Sequence, residues 1–562
     1  MRRYLLIFLS LAVLLLDVAA PAVAMASDGR AQDGSAEPSR AAPVVSGNSS
    51  ASPDTLNQVI DKVVERQHLF VAEMRHFRPM VETYIQNLQD DSQGAGRPVG
   101  DQYFLGRLQL TDRTQNPSML AGPDLEHRLL TKLTVLYQLS FLPLGFAQMA
   151  ILDDDLQRKN YDFTFSGRET LGDVHCLVLD VQPRAHGPNG RFLGKIWVEE
   201  QDYNIVRFEG TYVPRPKTGY FLHFDSWRQN LRPGVWFPVY IYSEEQPLKR
   251  GLGRELRYKA QTRLWSYEPD QQRNMEELTR IVVDSPEVDD SNDALREKSP
   301  MESQRLWETE AEENALGRLQ NMGLSAPPGP VDKALFKIVD HLIVANHLVV
   351  QPPVRVRVLL LTPMLSFTIG HTIVVSRGLL DALPDEPSLA VVFAHELAHI
   401  VLGHSFDTRS GFSDRLLLSE ESTFQRLDFV HPADEEDAAD KKALEFLANS
   451  TYKGNLASAG SFLKAVRMRQ GELKSLLCPH LDNGLANGKY ITTSPLLSSA
   501  AGSSSETTPV SAAGFRIKVD PWNNRITLMT TEGSSGVAKR EAFELTPTPP
   551  DLNRLSGAEA SR

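Results

Sequence analysis

The stretch Leu389-Ala390-Val391-Val392-Phe393-Ala394-His395-Glu396-Leu397-Ala398-His399 decides how the rest of the chain is read. Its first six residues are apolar without a break, the pattern of a helix buried on all sides. On a helix, side chains four residues apart differ in direction by about 40°, so His395 and His399 point to one side and can share one metal ion. Glu396 sits one residue round from the first histidine, where its carboxylate reaches a metal-bound water without filling a coordination position. It would take the water's proton and pass it to the leaving amine, while zinc lowers the water's pKa toward ~7 and polarises the scissile carbonyl. With 14 histidines in 562 residues, a chance match to this five-residue pattern has odds of roughly two in a hundred. The bland alternative is a core helix with two satisfied histidines, and three ionisable groups in one helical turn are costly to bury unpaired.

A catalytic zinc site has three protein ligands and an open position. His404 lies nine residues after His395, a spacing that points it to the opposite side of a continued helix, so it reads as structural. Metzincin spacing also fails, because Leu402 and Ser405 stand where that pattern needs Gly and His. Asp434-Glu435-Glu436-Asp437-Ala438-Ala439-Asp440 offers a better source. Glu436 and Asp440 are again four apart, so one carboxylate can bind zinc while the other receives a ligand histidine's ring N–H.

Outward from this centre, 301–492 reads as one unit. It begins with a Glu-rich helix from Met301, followed by an apolar helix over 331–346 and strands at 354–360 and 372–375. Ser376 caps a short helix through Leu383, and Asp385 with Pro387 starts the helix that carries the histidines. Before it, an acidic linker over 284–300 closes a unit at 54–283. That unit opens with an amphipathic helix from Asp54 through Ile85, with Val59, Ile60, Val63, Val64 and Phe70 at helical spacing. Short β runs follow at 161–165, 174–181, 192–198, 205–213, 221–227 and 235–242, separated by turn residues, as in an antiparallel meander. The segment 129–152 is apolar but interrupted by Lys132, Gln138, Pro143 and Gln148, and reads as a buried or groove-lying helix. Residues 493–562 form a low-complexity tail with a hairpin around Asn523-Asn524, and 27–53 is a disordered linker.

Residues 1–26 read as an export signal: Arg2 and Arg3, an apolar run over 5–16, then Ala22-Val23-Ala24. The expectation is a periplasmic or extracellular protein, soluble or peripherally bound to a membrane. A net charge of -12 gives no basic face for nucleic acid. The two cysteines, Cys176 and Cys478, are too far apart in sequence to suggest a disulfide framework or a thiolate site.

Gly194-Lys195-Ile196-Trp197-Val198 and Ile205-Val206-Arg207-Phe208-Glu209-Gly210 make the segment 192–242 resemble periplasmic lipoprotein carriers of the LolA and LolB type. That resemblance implies a half-barrel and contact with lipid or envelope proteins; a sheet with an ordinary filled core explains the same phrases. The order of motifs 370–380, 389–404 and 436–440, spanning about 330–480, resembles peptidase family M48. That family holds the CAAX prenyl endopeptidase, the HtpX membrane protease and soluble periplasmic quality-control proteases. The resemblance implies a gluzincin-type α+β fold, one Zn2+ on His395, His399 and Glu436, Glu396 as general base, and Asp440 orienting a ligand histidine. Its substrates would be unfolded or edge-exposed proteins held along the strand 367–375. Leu365-Ser366-Phe367 departs from the family's Asn-Ala-Phe. Relatives also place a His-Pro pair after the third-ligand helix; here the order is Cys478-Pro479-His480, with His480 a candidate for transition-state stabilisation or gating against a plain surface histidine. Two other functions compete: a binding or chaperone-like protein with a structural or vestigial zinc site, for which Glu396 has no use, and an aminopeptidase, for which no amine-holding motif is found.

Overall fold

The computed structural model describes residues 55–90, 96–108, 149–152, 156–171, 174–184, 191–213, 223–232, 234–249, 255–267, 300–325, 327–412, 420–477, 481, 494–498, 515–519 and 526–530. The export signal, the linker 27–53, the acidic linker except Pro300, most of 129–152, and Cys478 with His480 therefore lie outside the described residues.

Helix α1 (Leu56–Met74) starts at Thr55, whose backbone N–H donates to Gln58 Oε1 at 2.7 Å. The helix ends well before Ile85, which corrects the sequence reading. Pro79 disfavours helical backbone at the residue before it, and Val81, Thr83 and Ile85 alternate as β-branched residues of the strand that follows. Nine strands come next: β1 (Met80–Asp90), β2 (Gly96–Arg107), β3 (Tyr161–Leu171), β4 (Val174–Pro183), β5 (Arg191–Glu199), β6 (Ile205–Val213), β7 (His223–Arg232), β8 (Val235–Lys249) and β9 (Glu255–Trp265). They form one antiparallel sheet in the order β2-β1-β9-β8-β7-β6-β5-β4-β3, open between β2 and β3 among the described residues. The sheet is thus no closed barrel. Alternation along each strand divides its residues between two faces. Leu179, Ile196, Phe208, Phe224 and Ile241 pack with Val59, Val63 and Phe70 of α1. Neighbouring residues Cys176, Val178, Trp197, Trp227 and Trp236 form a second cluster, where the Arg207 guanidinium lies over Trp197 and Trp227. Burial pushes the Cys176 thiol up to about 12, so it behaves as a small hydrophobe.

The second part is mainly helical: α2 (Pro300–Asn321), α3 (Pro330–Ala345), α4 (Arg377–Ala382), α5 (Glu386–Leu402), α6 (Arg409–Phe412), α7 (Glu420–Arg426), α8 (Ala433–Ala448), α9 (Ala457–Arg469), α10 (Lys474–Leu477) and α11 (Pro495–Ser498). Its small sheet runs β10 (Arg355–Leu359), β12 (Thr372–Ser376), β11 (Ser366–Ile369), with β10 parallel and β11 antiparallel to β12. A separate hairpin pairs β13 (Phe515–Val519) with β14 (Ile526–Thr530). The architecture is α+β. No helix among the described residues is long and apolar enough to cross a membrane.

Within Asp54–Arg562, which form one unit, the large sheet grips the loop between β10 and β11. Buried Glu82 of β1 accepts hydrogen bonds from the Thr362 backbone N–H at 2.6 Å, the Thr362 hydroxyl at 2.8 Å and the Tyr103 hydroxyl at 2.8 Å. Arg263 of β9 donates to Glu82 at 3.1 Å and to the Leu360 carbonyl at 2.8 Å. Asp101 of β2 accepts the Ser475 and Leu476 backbone N–H groups of α10 at 2.9 and 2.8 Å. From α2, buried Glu312 accepts from the His371 N–H at 3.0 Å and the Thr372 hydroxyl at 2.6 Å, fixing the β11–β12 turn. Gly370 at φ 58 admits no side chain there, since a Cβ would stand 2.3 Å from Glu312 Oε2.

Removing one partner of a buried ion pair costs the other its best counter-charge. We therefore predict that Glu82→Ala, which takes the carboxylate away from Arg263 and from the Thr362 and Tyr103 donors, lowers stability by about 3–5 kcal/mol. Urea denaturation checks this, and an unchanged midpoint in the variant would contradict a stabilising role for the cluster.

Candidate active site

Helix α5 is closed at both ends by its own sequence. Asp385 Oδ1 accepts the Ser388 N–H at 2.9 Å, Pro387 sits in the first turn, and Gly403 at φ 74 ends the helix in the left-handed conformation. Packing of α5 against α3, α8 and α9 buries Leu389 through Ala394, together with Glu396 and His399. The ionisable groups are thus carried into the core by the apolar residues around them.

Three of the expected ligands converge. His395 Nε2 and His399 Nε2 are 3.1 Å apart. Glu436 of α8 brings Oε2 to 3.3 Å from His395 Nε2 and Oε1 to 3.8 Å from His399 Nε2. The donor atoms of these residues lie within 4.8 Å of one another. Zn–N bonds of 2.0–2.1 Å at tetrahedral angles would put neighbouring ligand atoms about 3.3 Å apart, so the spacing suits such an ion. The remaining ring nitrogens are also committed. Asp440 Oδ1 is 2.9 Å from His395 Nδ1; the carboxylate accepts, so Nδ1 carries a proton and Nε2 is the ring atom left to meet an ion.

Charge fits the same reading. Burial disfavours a charged His395, but hydrogen bonds to Asp440 and Glu436, with Glu396 nearby, more than offset it and hold its pKa well above the ordinary value. Burial, followed by the His395, His431 and His404 rings, pushes His399 well below it.

Three residues beyond the expected set complete the site. His404 stands beside His399, their Nδ1 atoms 3.0 Å apart. The helical-angle argument placed it on the far side, and it fails because α5 has already ended: Gly403 turns the chain back, and the His404 N–H donates to the His399 carbonyl at 3.0 Å. His431, just ahead of α8, stacks on His399 with ring centroids 4.1 Å apart and holds Glu435 at 2.9 Å. Its only signal in the sequence is the His431-Pro432 step before the acidic helix start. Ser366 of β11 donates its hydroxyl to Glu396 Oε1 at 2.8 Å.

Residues 364–472, from β11 to α9, match the model of Peptidase family M48. The segment contains His395, Glu396, His399, Glu436 and Asp440, and the match bears out the resemblance read from the motif order. No curated protein matches the sequence. Among solved structures, a DUF1329 family protein from Desulfovibrio piger is 12% identical, over 37% of this chain and 93% of that one, with a TM-score of 0.20. The MucB–MucA(peri) complex is 10% identical over 38% and 94%, with a TM-score of 0.12. The Pseudomonas aeruginosa MucA/MucB complex is 11% identical over 37% and 93%, with a TM-score of 0.13.

Outer partners of a ligand histidine commonly contribute 10–100-fold to metal affinity. Asp440→Ala is therefore predicted to weaken zinc binding about 10–100-fold, and Glu436→Ala, which removes one of the three candidate ligands, to weaken it further. Equilibrium dialysis with metal analysis reads both; equal affinity in Glu436→Ala and wild type would remove Glu436 from the ligand set.

Proposed function

We propose that the chain is a zinc-dependent endopeptidase of the envelope, exported by its N-terminal signal, that cuts unfolded or mislocalised proteins. The observation that carries this reading is the meeting of His395, His399 and Glu436 with Glu396 buried one residue from the first ligand. The bound zinc would supply an activated water and polarise the scissile carbonyl. Glu396 accepts the water's proton and returns it to the leaving nitrogen as the peptide bond breaks. Asp440 keeps the His395 lone pair directed at the site.

Substrate presentation would fall to β11, the outer strand of the small sheet, whose four residues are buried in this structure, so a peptide reaches its edge only once the cover over it moves. An extended peptide added to such an edge is held through backbone hydrogen bonds, which favours unfolded chains over compact ones. The Phe367 ring stacks on Phe429 with centroids 4.6 Å apart, and the Thr368 hydroxyl lies 3.4 Å from His431 Nε2, so side-chain contacts brace the strand. Lipid or envelope-protein contact through the large sheet belongs to the same proposal.

Glu396→Gln is predicted to keep its zinc and lose casein cleavage by at least 10²–10⁴-fold, the contribution typical of a positioned acid–base group. A chelator is predicted to abolish wild-type cleavage and added zinc to restore it. Wild-type protein that holds one zinc and leaves casein and other unfolded chains intact points to a binding or chaperone-like protein instead.

A further inference from the structure

Where Glu396 meets β11, the strand that would receive substrate touches the group that would receive the water's proton. Ser366 opens β11 and is fixed there by its pairing with Val375 of β12. The adjacent Leu365 N–H donates to Ser376 Oγ at 2.9 Å, and that oxygen also caps α4 by accepting from the Leu379 N–H. The Ser366 backbone therefore has little freedom. Residues two apart on a strand share a face, and on this one Ser366 reaches Glu396 while Thr368 reaches His431. Phe367, between them, packs with Phe429. Ser366 and Glu396 are both buried.

We infer that Ser366 is a positioning residue for the general base. A carboxylate turns about its last torsion with little preference between orientations. The hydroxyl anchors Oε1 and so restricts the turn of the carboxylate as a whole. A serine hydroxyl can donate or accept, so it holds Glu396 both as the carboxylate and as the acid formed after proton uptake. The role rests on the endopeptidase reading and adds to it a contact between the substrate edge and the base.

The test compares Ser366→Ala, Ser366→Val and Ser366→Thr in the full-length zinc-loaded protein, with fluorescein-labelled casein as substrate. Threonine and valine are nearly the same size, and only threonine keeps the hydroxyl. The expected result is a kcat about 10–100-fold lower in the Ala and Val variants, with KM within about twofold and zinc content equal to wild type. The Thr variant should recover most of the lost kcat. Wild-type kcat in Ser366→Ala overturns the inference. Equal losses in the Thr and Val variants overturn it as well, because they reduce Ser366 to packing. Wild type that binds zinc and cuts nothing overturns the endopeptidase reading, and this role with it.

Discussion

Bringing two imidazoles and three carboxylates together in and beside one helical core is tolerable only if each charge finds a partner. Around α5, each commitment is visible. Asp440 takes one side of His395 and Glu436 the other; His399 is wedged among His395, His404 and His431; Glu396 rests on Ser366. Apolar packing of α5 and α8 supplies the force that carries these groups out of water. Their mutual geometry decides what they do once there. A site assembled this way is pre-organised, because the rings are held by second partners whether or not a ligand has arrived.

The centre of the site was legible in the sequence because helices have a fixed period. Two pairs of residues four apart, His395 with His399 and Glu436 with Asp440, each had to face one way, and the only long-range guess was that the two pairs meet. The same periodicity misled where a helix stopped. His404 was placed by extending α5 through Gly403, although glycine at that position is the residue that ends a helix and turns the chain back. Ser366 and His431 reach the site across the fold, from a strand and a loop, and no local spacing announces such contacts.

The strands showed a similar divide. Six runs rich in aromatic and β-branched residues were visible between 161 and 242, and all six are strands. β1, β2 and β9 were missed. In β1, Glu82, Gln86 and Gln89 interrupt an apolar pattern that otherwise continues α1, so the segment read as more helix. Glu82 breaks the pattern because it is used elsewhere: it is the acceptor for Thr362, 280 residues away in sequence. A buried carboxylate on a strand is a poor local signal for that strand and a good sign of a long-range partner.

Glu82 and Asp101 also bear on how the molecule can be divided. The segment matched to a peptidase family begins at residue 364, yet the loop leading into it and the helix near its end draw hydrogen-bond acceptors from β1 and β2, nearly three hundred residues or more upstream. Any shortened chain that keeps the helices and omits these strands leaves the Thr362, Ser475 and Leu476 amides to find water or another acceptor. A workable boundary for dissection therefore follows the path of these hydrogen bonds, and a cut at the edge of the recognisable motif would miss it.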